Sequence, residues 1–279
     1  MTSETNTNDT SDTDSTDSTD STDSTNGAHG AAEGAGGESR VALVTGGSRG
    51  IGAATAVRLA RTGHDVAITY VNGKEAAEEV VGAVRRLGRW AVALRADAAD
   101  PREAEGVVER AVAELGRLDV LVNNAGVGVL GPVETLSPED ADRVLAVNVR
   151  AVFLACRAAV PRLGRGGRII TVGSCMAQRV PGPGGALYTM SKSALIGLTR
   201  ALAREVGPRG ITANIVHPGP IDTDMNPADG PFAAGQAAMT ALGRYGTAEE
   251  VASLIAYLAS ADASYVTGAE FPVDGGHAA

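Results

Sequence analysis

A single-domain α/β sandwich, a doubly wound sheet of about seven parallel strands with helices on both faces, is the fold class this sequence predicts. Three observations lead there. From Val41 onward, short apolar runs alternate with helix-length amphipathic stretches. The runs are apolar almost throughout, as in strands buried on both faces, and a glycine-rich turn follows the first of them directly. Right-handed crossovers between parallel strands then wind helices onto both faces of the sheet.

The strands are expected at "VALVT" from Val41, "DVAIT" from Asp65, "WAVALRA" from Trp90, "LDVLVNN" from Leu118, "RIITVG" from Arg168, "ITANIVH" from Ile211 and "AEFPV" from Ala269. Helices fill the gaps. Ser137 before Pro138 marks the start of a long one through "EDADRVLAVNVRAVF". Thr247, three residues before Glu250, is a capping-box pattern opening a helix whose Val251, Leu254, Ile255 and Leu258 share one face.

Composition limits the function. The 279 residues suffice for one good core and are few for two. The net charge is -9, but residues 1–39 hold nine acids and no Lys or Arg, so the remainder balances 24 acids against 24 bases. A neutral body argues against nucleic acid as the main partner. The repeated Ser, Thr and Asp of residues 1–39 offer no apolar face, and we expect a disordered, solvating tail there ahead of a folded domain spanning residues 40–279. Cys156 and Cys175 form neither a metal-ligand spacing nor a disulfide framework, which suits a reducing compartment. With no apolar run near the ~20 residues of a membrane span, and no basic and apolar start, a cytoplasmic protein is expected.

In a doubly wound sheet, ligands bind at the carboxyl ends of the strands. The turn "TGGSRGIG", Thr45 to Gly52, follows the first strand, and the helix after it presents unpaired N–H groups suited to a pyrophosphate. Between a strand and a helix this is the Rossmann-type signature, with Gly46, Ser48, Arg49, Gly50, Ile51 and Gly52 as candidate contacts. A tight turn without a ligand is the bland alternative. An NAD-selective site usually carries an acid at the end of the second strand, whereas "TYVNGK" supplies Asn72 and Lys74. With Arg49, these favour NADP(H) over NAD(H).

Tyr188 and Lys192 stand four residues apart in "ALYTMSKSAL", on one helix face, in a chain with only two lysines. A phenol titrates near ~10, and a cation about 5 Å away at an effective dielectric of ~20 is worth roughly 3 kcal/mol toward its ionised form. The pair is therefore expected to act as acid and base. Ser174 closes the "RIITVG" strand, where its hydroxyl could hold a carbonyl oxygen. Asn148 is polar within an apolar helix pattern: either a buried structural amide or part of a proton relay.

With these residues together, residues 40–279 resemble the short-chain dehydrogenase/reductase family. The matching motifs, in order, are "TGGSRGIG", "NNAG" at 123–126, Asn148, Ser174, "YTMSK" at 188–192, "HPGPIDTDM" at 217–225 and "VTGAEFPVDGG" at 266–276. The resemblance implies a catalytic tetrad of Asn148, Ser174, Tyr188 and Lys192, with Tyr188 and Lys192 also touching the cofactor. It further implies Asp97 at the adenine, Asn123, Ala125 and Gly126 along the cofactor groove, and Pro218, Gly219, Ile221 and Thr223 beside the nicotinamide.

The likeness is strongest to 3-oxoacyl carrier-protein reductases and related ketoreductases, which implies reduction of a small-molecule ketone by NADP(H), and a homotetramer. Residues 224–243 would cover the substrate, with Met225, Phe232 and Met239 as an apolar wall. Ser174 lies one residue further from Tyr188 than in many members, which implies a small insertion near Met176 and Val180. The chain also resembles a bacterial branch containing cyclic di-GMP-binding proteins of biofilm dispersal; on that alternative it is a regulatory nucleotide binder.

Overall fold

The computed structural model describes residues 39–279. The expected tail, apart from Ser39, lies outside the described residues. Seven parallel strands form one sheet: β1 (Val41–Val44), β2 (Asp65–Tyr70), β3 (Ala91–Arg95), β4 (Val120–Asn123), β5 (Arg168–Val172), β6 (Thr212–Pro218) and β7 (Glu270–Val273), in the order β3-β2-β1-β4-β5-β6-β7. All seven expected strands are present; five are trimmed by a residue or two, while β2 runs one residue further, to Tyr70, and β6 is shifted by one residue to end at Pro218. The order reverses between β1 and β4, and the crevice above that reversal is where such sheets bind ligands.

Among the described residues eight α-helices surround the sheet: α1 (Gly50–Arg61), α2 (Lys74–Arg86), α3 (Pro101–Leu115), α4 (Pro138–Leu145), α5 (Ala151–Ala159), α6 (Ala186–Val206), α7 (Ala233–Ala238) and α8 (Ala248–Ala259). Alternation along the strands feeds two cores. Ala42, Val44, Val66 and Ile68 pack with α1, α2 and α8 on one face, and Leu43, Ala67, Leu121 and Ile215 with α3, α5 and α6 on the other. Near-continuous apolar strands are thus explained by burial on both sides.

Caps set the helix starts. Ser137 and Asp140 exchange hydrogen bonds in a capping box, as do Thr247 and Glu250, and Asp100 accepts from the N–H groups of Arg102 and Glu103. The long helix expected from Pro138 is interrupted. Residues Ala146–Arg150 form a π-helical turn between α4 and α5, in which the Ala151 N–H reaches back to the Ala146 carbonyl. Such turns bulge a helix outward by one residue and often mark functional positions. Asn148 sits in the middle of this one.

Candidate active site

The glycine turn is tied down from β2 and β4. The Gly46 N–H donates to the Thr69 hydroxyl at 2.9 Å, and the Gly47 N–H to the Thr69 carbonyl at 2.8 Å. Asn124 Nδ2 donates to the carbonyls of Thr45 and Gly46, each at 2.9 Å, while the Thr45 hydroxyl accepts from the N–H groups of Asn124 and Ala125. Glycine is required on two grounds. Gly46 lies at φ +63, and a Cβ on Gly52 would stand 2.2 Å from the Gly46 carbonyl oxygen. Arg49 precedes α1 without a side-chain cap and no acid lies in the first turn, so the first N–H groups of the helix remain open to an anion.

At the end of β2, Asn72 and Lys74 are exposed and no carboxylate stands beside them before Glu75 in α2. Arg49 reaches Asp224 at 3.7 Å, both side chains being largely exposed. The Thr223 side chain lies over Gly50, 3.2 Å from where a Cβ would sit. The segment after β6 therefore meets the glycine turn across the mouth of the crevice.

Of the other expected groove residues, Asp97 turns its carboxylate to the Ala99 N–H at 2.8 Å. Asn123 is buried and points away from the groove: its Nδ2 lies 3.3 Å from Cys156 Sγ, and its Oδ1 has no hydrogen-bond partner. It borders a cavity of about 20 Å³ shared with Thr45, Thr69 and Ala125. Gly219 presses against the Asp274 backbone, 2.5 Å from where its Cβ would be, and Ile221 bridges to Gly246. Pro218 ends β6 at the same edge.

The other half of the crevice holds the polar cluster. Ser174 follows β5, its hydroxyl accepting from the Met176 N–H at 3.2 Å and near enough to the Tyr188 phenol to favour its ionised form. Tyr188, half-buried near the start of α6, has its ring centroid 5.8 Å from Lys192 Nζ. Lys192 is 5% exposed and donates to the Val172 carbonyl at 3.0 Å. Asn148 Oδ1 accepts from the Val127 N–H at 2.9 Å, and its Nδ2 donates to the Val127 carbonyl and the Ser191 hydroxyl, each at 3.0 Å. Ser191 in turn donates to the Tyr188 carbonyl at 2.7 Å. Asn148 is thus both the buried structural amide and a neighbour of the cluster. A Cβ on Gly126 would stand 3.3 Å from Lys192 Nζ and 3.4 Å from Asn148 Oδ1, so glycine lets the backbone come close to both polar atoms.

Electrostatics correct one expectation. Burial raises the Tyr188 phenol above its ordinary value, the Ser174 hydrogen bond opposing it, and Lys192 is not among the causes. Burial also pushes Lys192 down, to about 8. The ammonium is expected to favour the ionised phenol by roughly 3 kcal/mol; instead desolvation is the largest influence on both groups. The phenol is therefore protonated at neutral pH, a donor rather than a base. Both cysteines are free and buried, their thiols raised to about 12 for Cys156 and about 11 for Cys175.

The wall near the cluster is apolar. Gly184, at φ +89, accepts from the Gly131 N–H at 2.9 Å, joining the loop before α6 to the loop after β4. Met176 packs against Gly185 and Met225 faces Gly128, while Val180 is 52% exposed. Phe232 and Met225 are more exposed still, so this wall is only partly assembled from the residues expected. Thr45 and Asn124, which hold the glycine turn, and Ser191 and His217, which hydrogen-bond the Tyr188 carbonyl and the Ser174 N–H, are not singled out from sequence. Each lies inside a quoted motif, and the motif was the only signal.

A parallel doubly wound sheet with an open glycine turn on one side of its crevice and a Ser–Tyr–Lys cluster on the other defines the nucleotide-dependent oxidoreductase class. A sequence model of the family described as enoyl-(acyl carrier protein) reductase matches residues 46–278. A cyclic-di-GMP-binding biofilm dispersal mediator protein of Escherichia coli is 44% identical over 236 residues, 85% of this chain and 96% of that one. A 3-oxoacyl-[acyl-carrier-protein] reductase of Staphylococcus aureus is 38% identical over 85% of this chain and 98% of its own. A short-chain dehydrogenase of Burkholderia cenocepacia, solved in complex with NADP, superposes with a TM-score of 0.85 at 52% identity, covering 86% of this chain and 98% of the other. The chain belongs to the short-chain dehydrogenase/reductase family.

Proposed function

We propose that this protein is an NADP(H)-dependent ketoreductase that reduces a ketone, 3-oxoacyl or similar, to a secondary alcohol. The observation that carries this reading is the Ser174–Tyr188–Lys192 cluster, with a protonated phenol, at the same sheet edge as an open glycine turn. NADPH, when bound, supplies hydride to the carbonyl carbon. The fit to a dinucleotide rests on the close approach at Gly46 and Gly52 and the uncapped start of α1. Gly46, Ser48, Arg49, Gly50, Ile51 and Gly52 would hold the pyrophosphate side, with Arg49, Asn72 and Lys74 near a 2'-phosphate. Asp97, Ala125, Gly126, Pro218, Gly219, Ile221 and Thr223 would line the rest. Asn123 is better suited to holding the groove's floor than to touching the cofactor, since its side chain turns into the core.

In the chemical step Ser174 holds the carbonyl oxygen and Tyr188 Oη donates its proton there. Lys192, charged at neutral pH with a value of about 8, restores that proton. The approach of both Lys192 Nζ and Asn148 Oδ1 to Gly126 brings the two polar atoms to one spot, which supports a relay outward through a water. The test is turnover of acetoacetyl-CoA with NADPH beside NADH, in wild type and Tyr188→Phe. We expect a preference for NADPH, and a fall in kcat of ~10²- to 10⁴-fold in the variant with NADPH affinity retained. Full turnover by a folded Tyr188→Phe protein ends this reading.

One observation favours a second reading: the 44% identical relative is a cyclic-di-GMP-binding protein. Regulatory binding would appear in calorimetry as tight cyclic di-GMP association without carbonyl turnover. We further propose a homotetramer in the cytoplasm, a setting that two unpaired thiols suit. No described helix is long and apolar enough to cross a membrane. The acidic residues 1–39 would serve as a solvating tail.

A further inference from the structure

His217 lies near the end of β6 with none of its surface exposed, directly behind the catalytic edge. Its Nδ1 stands 3.2 Å from the Ser174 main-chain nitrogen and accepts that N–H. A Cβ on the intervening Gly173 would fall 2.5 Å from the same Nδ1, so glycine there permits the close approach. On the far side of the ring, Nε2 is 3.3 Å from Glu270 Oε2 on β7, near enough for charge attraction though not aligned as a full hydrogen bond. Glu270 Oε1 is held at 2.6 Å by Arg200 of α6. Because Nδ1 accepts, the neutral ring must carry its proton on Nε2, toward the carboxylate.

We infer that His217 is a positioning residue for Ser174: its Nδ1 fixes the Ser174 backbone, and the Glu270–Arg200 pair fixes the ring. This rests on the reading of Ser174 as the residue that holds the substrate oxygen. Among the described residues, the polar contacts of this fully buried histidine are the Ser174 N–H and Glu270, so the three side chains run from the surface to one backbone N–H. Protonation would place a second N–H against the Ser174 N–H, so the arrangement requires the neutral ring. The charged groups facing it are Glu270, which favours protonation, and Lys192, which opposes it; Arg200 reaches the ring only through Glu270. Burial outweighs them and keeps the ring below its usual range, hence neutral at pH 7.

Three full-length variants test this with NADPH and acetoacetyl-CoA as probe. His217→Leu keeps the bulk and removes the acceptor. His217→Asn restores an acceptor near the Nδ1 position. Ser174→Ala reports on the site itself. We expect His217→Leu to lose ~10- to 100-fold in kcat with NADPH affinity within about threefold of wild type, and His217→Asn to recover most of the loss. Any fall of wild-type activity on the acid side caused by His217 should be missing in His217→Asn. A folded His217→Leu with unchanged kcat, or a His217→Asn as impaired as His217→Leu, overturns the inference.

If Ser174→Ala keeps full turnover, the reading of the site fails. If Ser174→Ala is inactive and His217→Leu is not impaired, the role of His217 alone fails. Nitrogen NMR of the labelled wild type needs neither substrate nor a variant that folds well. It should show one of the four histidines as a neutral Nε2–H tautomer with Nδ1 as acceptor below pH 6.5, and a protonated Nδ1 there sinks the proposal.

Discussion

Lys192 shows the conflict between stability and chemistry at the scale of a single residue. Its ammonium is buried with no carboxylate partner among the described residues, and burial alone lowers it to about 8. Between that value and the ~10.4 of the unfolded chain, the unfolded state binds more protons, so stability rises with pH across this window. Below about 8 the penalty is present in full, on the order of 3 kcal/mol if the whole shift is realised. Lys192→Met should therefore raise the stability of the cofactor-free protein at pH 7 by ~1–3 kcal/mol, less the lost bond to the Val172 carbonyl, while abolishing turnover. Urea melts at pH 7 and pH 10 check the sign: the advantage should shrink as pH rises. A variant less stable than wild type at pH 7 would show that Lys192 is retained for the fold.

At the scale of elements, the site depends on where helices start and where one of them bulges. The capping box of α8 joins Thr247 and Glu250, and Glu250, which also pairs with Arg244, is lowered to about 2. Thr247→Ala should cost about 1 kcal/mol and lower Tm by ~2–4 °C, with NADPH affinity unchanged, as a thermal melt and a binding titration would show. This cap was legible from sequence because Thr-x-x-Glu before an apolar stripe has a local cause. The π-helical turn at Ala146–Arg150 was not legible. Nothing in "LAVNVRA" specifies an i→i+5 bond, and the bulge is supported by Asn148 reaching Val127 and Ser191, residues distant in the chain.

For the whole molecule, the apolar surface left over after both cores are filled is informative. Leu145 and Phe153 are exposed, at 37% and 51%, along the α4–α5 stretch, where they line a surface hollow with Val149 and Leu198. That hollow is the face through which we expect protomers to associate. Light scattering should report four chains per particle, and Phe153→Asp should lower that number by burying an unpaired charge in the contact. A wild-type monomer would instead assign the hollow to the ordinary apolar fraction of a protein surface.

The sequence alone determined the number and chain positions of the strands and the helix starts after the glycine turn, at Ser137 and at Thr247, because apolar periodicity, caps and the glycine turn are local and each carries its own physical cause. It also brought Tyr188 and Lys192 to one helix face, since i and i+4 meet on any α-helix. Tertiary structure decided the rest: that Asn123 faces the core, that Asn124 and Thr45 hold the turn, that His217 stands behind Ser174, and that the phenol stays protonated. Those outcomes depend on desolvation and on contacts between strands far apart in the chain. Neither has a periodicity, so no window of residues carries them.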